Sequence, residues 1–363
     1  MAIDVAQSLR QIVADTTGEK ALAFAGAWRS WDWMRAQCAA ADEAAGTARN
    51  VAPVARNRPQ HVAVMASNLA AGRSTTMVHA AQSAEALARN IRALHCSAIF
   101  ADKEDWSPQV LSAAAEIGAS AIAVEDGPGC VRIVQQGSPR DDAEGLPDFA
   151  FSLLSSGTTG EPKSIPISWQ SLNAAAGDAA TTYAGSGAIE APILMLHPLG
   201  NVAGLSYVVP SLVRGQPIVL MERFAAREWA SAVRQYRPAR SALPPAALRM
   251  VLDAEIAPSD LASLTLIAVG GARLDPVLQE LFEARHSIPV LTAYGATEFG
   301  GVIATWPLAD YLRLGKSKRG SCGRAVANAE IRVIDPLSGA LLGAGQQGFH
   351  VFVAIGQDRK SVV

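Results

Sequence analysis

Aromatic residues are scarce, at 6% of a 363-residue chain whose hydrophobic content is 50%. Alanine supplies much of the apolar remainder, which argues against disorder and for closely packed helices. Cysteine is scarcer still. The four present, Cys38, Cys96, Cys130 and Cys322, form no CxxC pair and have no zinc spacing. That excludes a disulfide scaffold or a zinc module and suits small buried residues in a reducing compartment. Neither sign of charge dominates: the formal net charge is -2, the pI is about 6.3, and no run of basic residues occurs. A nucleic-acid or anionic-membrane partner is therefore not expected, although a small anionic ligand needs only one local site. No apolar segment approaches the length that spans a bilayer. The first twenty residues, MAIDVAQSLRQIVADTTGEK, carry charges at intervals where a signal peptide needs an apolar core. A cytoplasmic location is the resulting expectation. His61, His79, His95, His286 and His350 show no ligand spacing and read as incidental.

The length calls for two or more packed units. Short apolar runs alternate with alanine-rich stretches. HVAVMAS (61–67) reads as a strand, AEALARNIRAL (84–94) as a helix and SAIFAD (97–102) as a strand. SPQVLSAAAEIG (107–118) reads as a helix opened by Ser107 with Pro108 at its first position, and SAIAVE (120–125) as a strand. This is the βαβ rhythm of a parallel, doubly wound sheet. GSPRDDAEGLPD (137–148) reads as a linker. The rhythm resumes with strands at 191–199 and 217–222, a helix at 225–236 and a strand, loop and helix over 241–254. A strand at 264–271, a helix at 276–286 and a strand at 289–295 follow. AEIRVIDPLSGALL (329–342) then reads as two strands about a turn, and GFHVFVAI (348–355) as a third, which is antiparallel in character. The expected fold class is α/β: two doubly wound α/β subdomains plus a small antiparallel β-barrel, complete or incomplete.

Between the linker and the second half lies FSLLSSGTTGEPKSIPIS (151–168). An apolar strand runs into glycines and hydroxyl residues closed by a lysine. Glycines let backbone N–H groups approach an oxyanion, hydroxyls donate further hydrogen bonds and the lysine adds a charge. The arrangement suits a polyphosphate, the plain alternative being a surface turn. Gly157-x-x-Gly160-x-x-Lys163 is not the Walker pattern, and Pro162 disfavours a helix continuing from the loop. An unrelated P-loop phosphotransferase is thus a distant third reading.

SSGTTGEPKSI (155–165) resembles the phosphate-loop signature of the adenylate-forming superfamily of acyl-CoA synthetases, peptide-synthetase adenylation domains and luciferases. YGATEFGG (294–301) resembles its second signature and VGGARL (269–274) its adenine-pocket segment. LHPLGNVAGL (196–205) resembles the stretch bordering its acyl pocket, and GSCGRAVANAEIRVID (320–335) the block entering its small barrel. The order is that of the superfamily. The resemblance implies an α/β subdomain with the phosphate loop over 1–170, a second with the acyl and adenine pocket over 171–318, and a β-rich segment over 319–363.

By the same resemblance, Ser155, Ser156, Gly157, Thr158, Thr159, Gly160 and Lys163 wrap the β- and γ-phosphates of ATP. Thr297 contacts phosphate, and Glu298 is the Mg²⁺ ligand. Hard oxygen ligands and one or two carboxylates are what Mg²⁺ on a nucleotide takes. The plain alternative for Glu298 is a helix-start carboxylate. Tyr294, with Gly295 beside it, packs on adenine, or else is a core aromatic at a strand end. Gly270, Gly271 and Ala272 let a ligand lie against bare backbone, and Arg273 stands where the family often has proline. Thr158, Lys163 and Glu298 form the expected catalytic set. His197, Ala203, Gly204, Gly270, Gly271, Gly300 and Gly301 form the expected acid pocket, with His197 as lining rather than a proton carrier. The implied reaction is attack of a small carboxylic acid on ATP to give an acyl-adenylate, then displacement of AMP by coenzyme A or a carrier-protein thiol. An aryl or medium-chain acid suits the small, uncharged lining.

The sequence departs from the family after the β-rich segment. The ribose-binding aspartate is not identifiable, Asp358 being a poor match, and the expectation is of a large domain without the family's C-terminal lid and its lysine. The expectation is an excised large domain, a shortened enzyme or a degenerate relative. In the last case a catalytically impaired nucleotide- and acid-binding module or scaffold replaces the ligase.

Overall fold

The computed structural model describes residues 3–138, 148–155, 163–182, 191–354 and 360–362. Two compact units divide the chain: residues 2–173 with 195–223, and residues 174–194 with 224–363.

In the first unit, α1 (Val5–Asp15) starts at Asp4, whose side chain accepts from the Gln7 N–H. The hairpin β1 (Leu22–Phe24) and β2 (Ala27–Arg29) closes through Ala25 and Gly26, both at positive φ, as a two-residue turn matching strand twist requires. The chain continues through α2 (Trp31–Ala45), β3 (Asn50–Ala55), α3 (Pro59–Ala70), β4 (Ser74–His79), α4 (Ala84–Arg92) and β5 (Ala98–Asp102). Then come α5 (Pro108–Glu116), β6 (Ser120–Val124), β7 (Val131–Gln135), β8 (Phe151–Ser155) and β9 (Lys163–Ile167). After α6 (Trp169–Thr182), β10 (Ile193–Met195), α7 (Val202–Leu212) and β11 (Ile218–Leu220) follow. The chain leaves the first unit within α6 and re-enters it within β10.

Seven strands form a sheet in the order β7-β6-β5-β3-β4-β8-β9. The five inner strands are parallel, and β7 and β9 close the edges antiparallel. Alternation along β3 shows why both faces are covered. Val51 packs with Ala41, Val64, Phe100 and Ile122 beneath α2 and α3. Ala52 and Val54 pack with Leu87, Ile91, Val110 and Ala113 of α4 and α5 on the other face. Successive side chains of a strand point to opposite faces, so a sheet apolar on both sides needs helices on both. A second, four-stranded sheet has the order β10-β11-β1-β2.

The strand expected at 61–67 is instead the middle of α3, and the sheet strand is β3. Every residue from Pro59 to Leu69 is buried. A helix buried all round shows no polar stripe, so its apolar run looks like a buried strand. Pro53 lies inside β3, paired with Phe100, and proline in a central strand masks it from sequence reading. The expected helix at 107–118 is α5, with the Ser107 hydroxyl accepting from the Val110 N–H and Pro108 first in the helix. Residues 139–147 of the expected linker lie outside the described residues.

The second unit runs α8 (Ala226–Tyr236), β12 (Arg240–Leu243), α9 (Pro245–Asp253), β13 (Leu266–Val269), α10 (Pro276–His286) and β14 (Val290–Ala296). It continues with β15 (Gly301–Thr305), α11 (Leu308–Leu314), β16 (Arg324–Ala325), β17 (Ala329–Ile334), β18 (Phe349–Ala354) and β19 (Lys360–Val362). A five-stranded sheet has the order β12-β13-β14-β15-β16. Its first three strands are parallel and its last two antiparallel. The β-rich tail is the antiparallel sheet β17-β18-β19. It forms no closed barrel among the described residues, and only a single bridge, Ile334 to Leu341, follows β17 where a second strand was expected.

Candidate functional site

In the second unit, β13 and β14 run parallel in the register Val269 to Thr292, so both end at the same edge of the sheet. Beyond β13 the chain turns through Gly270–Arg273, of which Gly271, Ala272 and Arg273 are exposed. A side chain on Gly270 would meet the Ala293 carbonyl oxygen of β14 at 3.1 Å, which places the start of this turn against β14 one residue before the second signature. At the end of β14, Thr297–Phe299 forms one tight turn that carries Glu298 outward. The turn after β13 thus carries Gly270, Gly271, Ala272 and Arg273, and the end of β14 carries Tyr294, Gly295, Thr297 and Glu298, with Gly300 and Gly301 closing the turn into β15. The carboxyl ends of parallel strands are where open α/β sheets bind ligands.

The individual side chains differ in what they leave available. Glu298 is exposed and makes no ion pair or hydrogen bond among the described residues. Thr297 is half-buried. Tyr294 is also half-buried, its ring centroid 6.3 Å from that of Phe299 in an edge-on contact, and it packs on the cluster of Ile303 and Ala329. One part of this tyrosine thus serves the core.

The other predicted residues belong to the first unit. Ser155 ends β8 and Lys163 begins β9, paired across the two antiparallel strands. Ser156, Gly157, Thr158, Thr159 and Gly160 lie outside the described residues. His197 follows β10, is half-buried and stacks on Tyr207 with centroids 5.6 Å apart. Burial pushes its imidazole below the usual histidine range, which keeps it neutral at pH 7 and suits lining more than a fixed charge. Ala203 and Gly204 lie in the first turn of α7, Gly204 buried.

One cluster escaped the sequence reading. The turn Arg56-Asn57-Arg58, between β3 and α3, gathers side chains from distant strand ends. Arg56 pairs with Asp102 at 2.8 Å and with both oxygens of Asp105, at 2.5 and 2.6 Å. Arg58 reaches Asp102 at 2.9 Å, Glu104 at 3.1 Å and Glu222 at 3.0 Å. The other oxygen of Asp102 accepts from Gln60 at 3.0 Å. Buried His61 places Nε2 3.0 Å from that oxygen, close but poorly directed for a hydrogen bond. Burial pushes Asp102 upward, but the contacts with His61 and Gln60 and the charge of Arg58 outweigh it and hold the carboxyl at about 2. The only local signal is two arginines about an asparagine before a proline. Among the described residues, no group of three or more His, Cys, Asp or Glu side chains is arranged to hold a metal, and no helix is long and apolar enough to cross a membrane.

The pattern of the AMP-binding enzyme family matches residues 13–351. Among curated proteins, 4-coumarate–CoA ligase 3 of Oryza sativa subsp. japonica is 34% identical over 248 residues, covering 65% of this chain and 44% of the relative. Peroxisomal OPC-8:0-CoA ligase 1 of Arabidopsis thaliana is 31% identical over 206 residues, covering 55% of this chain and 37% of the relative. The chain thus spans less than half the length of these relatives. Among solved structures, ATP-bound MatB from Rhodopseudomonas palustris superposes with a TM-score of 0.80 at 17% identity, covering 98% of this chain and 71% of that one. At that identity the likeness concerns the fold.

Proposed function

The chain belongs to the AMP-binding enzyme family, and on that premise we propose that it activates a carboxylic acid with ATP and passes the acyl group to a thiol. The observation that carries this reading is the carboxyl end of β14, where Glu298 is exposed and makes no ion pair or hydrogen bond among the described residues, on a strand whose Ala293 lies against Gly270 of the glycine turn after β13. A carboxylate oxygen of the acid attacks the α-phosphorus of ATP. The bond from that phosphorus to the pyrophosphate oxygen breaks, pyrophosphate leaves with the electron pair, and an acyl-adenylate remains. A thiol then attacks the acyl carbon and AMP departs. Coenzyme A is the acceptor we favour, with a carrier-protein thiol as its chemical equivalent.

The protein's part is positioning and charge compensation. Lys163 and the hydroxyl and backbone donors of Ser155–Gly160 are assigned to the β- and γ-phosphates. Glu298 has the chemistry of a Mg²⁺ ligand, a hard carboxylate with no competing partner among the described residues, and the bound ion would neutralise phosphate charge. Tyr294 and Gly270–Arg273 are assigned to adenine. The stretch from His197 to Gly204 is assigned to the acid, and its neutral, small lining favours an uncharged tail. The aryl acid in the rice relative's name, 4-coumarate, fits that class.

The test is a panel of 4-coumarate, benzoate, octanoate and glycine with ATP and Mg²⁺, following carboxylate-dependent exchange of pyrophosphate into ATP. Exchange with an apolar acid is the expected result. Nucleotide binding without exchange under any acid would leave a binding module in place of the ligase, and release of ADP would indicate a phosphotransferase. Lys163→Ala and Glu298→Gln should each weaken MgATP binding by about tenfold, the worth of one charge-assisted contact. Unchanged MgATP affinity in both variants would remove these two assignments.

A further inference from the structure

Asn57 is 4% exposed and lies at the end of β3, far in sequence from everything its side chain touches. Its Nδ2 donates to the carbonyl oxygens of His197 and Met221, each at 3.0 Å. Its Oδ1 accepts from the N–H of Leu199 at 2.9 Å. One planar amide therefore fastens both ends of the His197-Pro198-Leu199 step and the residue that follows β11. Aspartate offers no donor for the two carbonyls, a hydroxyl cannot reach all three partners, and glutamine is one methylene too long for the same place. The amide is itself held from behind. Arg56 anchors the turn to Asp102 and Asp105 at the end of β5, and Arg58 anchors it to Asp102 and Glu222. The His197 backbone is thus fixed by Asn57 while its ring is fixed against Tyr207.

We propose that Asn57 is a positioning residue for the acid pocket, holding the His197–Leu199 segment in the place from which it meets the substrate's tail. The proposal rests on the assignment of residues 197–204 to the acid. It predicts a split between substrates, because the amide reaches the acid's segment and no residue assigned to nucleotide. In Asn57→Ala, the KM for 4-coumarate or octanoate in pyrophosphate exchange, and the corresponding Kd by calorimetry with AMP present, should rise about tenfold. The KM for MgATP should stay within about twofold, since none of the lost hydrogen bonds belongs to it. Amide hydrogen exchange at Leu199 should accelerate, because its acceptor is gone. In Asn57→Asp the acceptor remains, so Leu199 exchange stays slow. The acid KM should still rise, since a carboxylate now faces two carbonyl oxygens.

A purely structural role would lower the unfolding midpoint and shift both KM values together, and that result would overturn the proposal. If Asn57→Ala is insoluble, Asn57→Ser carries the same comparison. A companion variant, Ala203→Val, separates the two levels of the argument. If it changes acid preference while Asn57→Ala leaves the acid KM within about twofold, the role of Asn57 falls and the pocket stands. If Ala203→Val leaves acid preference unchanged, or no acid acts on the unsubstituted protein, the pocket assignment falls and takes the proposal with it.

Discussion

Asp102→Ala is expected to destabilise the first unit by about 3 kcal/mol, the lower end of the cost of stranding buried charges, because Arg56 and Arg58 keep some access to water. The carboxylate is 2% exposed and lies within 3.0 Å of four side chains: Arg56, Arg58, Gln60 and His61. Removing it leaves two guanidinium groups facing each other across the vacated space. Arg56 retains Asp105 and Arg58 retains Glu222, so their charges remain in place. The measurement is a urea unfolding curve, and an unchanged midpoint would refute the account. The pH dependence has a fixed sign. The folded carboxyl sits at about 2 against an ordinary value of 3.8. The folded state thus binds fewer protons than the unfolded chain in this interval, and the contribution is complete above pH 4 and lost as pH falls from 4 towards 2. In Asp102→Asn that group no longer titrates. The unsubstituted protein should lose its advantage over this variant through the interval, and a constant difference from pH 6 to pH 2 would show that Asp102 is not the group responsible.

How much of this could be read before the fold was known depends on whether the cause of each feature is local. Helix α5 was legible because Ser107, Pro108 and an apolar stripe all lie within one short stretch. Strands β5 and β6 were legible as short apolar runs beside it. Helix α3 and strand β3 were exchanged because burial on every side removes the polar positions that distinguish a period of 3.6 from a period of 2, and Pro53 hid the true strand. The edge strand β9 pairs its Pro166 with Ser152, and a proline-bearing segment is legible as strand only once its position at the rim is known. The turn of Gly270–Arg273 and the turn of Thr297–Phe299 were each visible as motifs. That both turns follow neighbouring parallel strands comes from the pairing of β13 and β14, which a linear sequence does not express. The Arg56-Asn57-Arg58 cluster lay furthest from reach, since Asp102, His197 and Met221 are supplied from far along the chain.

Gly295→Ala is expected to weaken AMP binding by roughly a hundredfold, the equivalent of about 3 kcal/mol, a cost at the upper end for forcing atoms into filled space. A Cβ at position 295 would fall 2.2 Å from the Gly301 carbonyl oxygen and 2.8 Å from both the Gly301 carbonyl carbon and the Val302 Cα. All three are backbone atoms, so no side-chain rotation relieves the clash, and the strands must part by about an ångström to reach ordinary contact. The register already shifts between Tyr294 and Gly295, where Gly295 pairs with Val302 and Ala296 with Gly301. Parting the strands there moves the turn that they support, which carries Thr297 and Glu298. The loss should therefore appear in nucleotide affinity and in faster amide exchange across Gly295–Val302. Leu266 and Leu291, in the core beneath the sheet with Trp306 and Tyr311, should keep their protection. Native AMP affinity in a folded Gly295→Ala protein would mean that the nucleotide does not depend on this edge. In that event Glu298, carried on the turn at the end of β14, loses its claim to the metal.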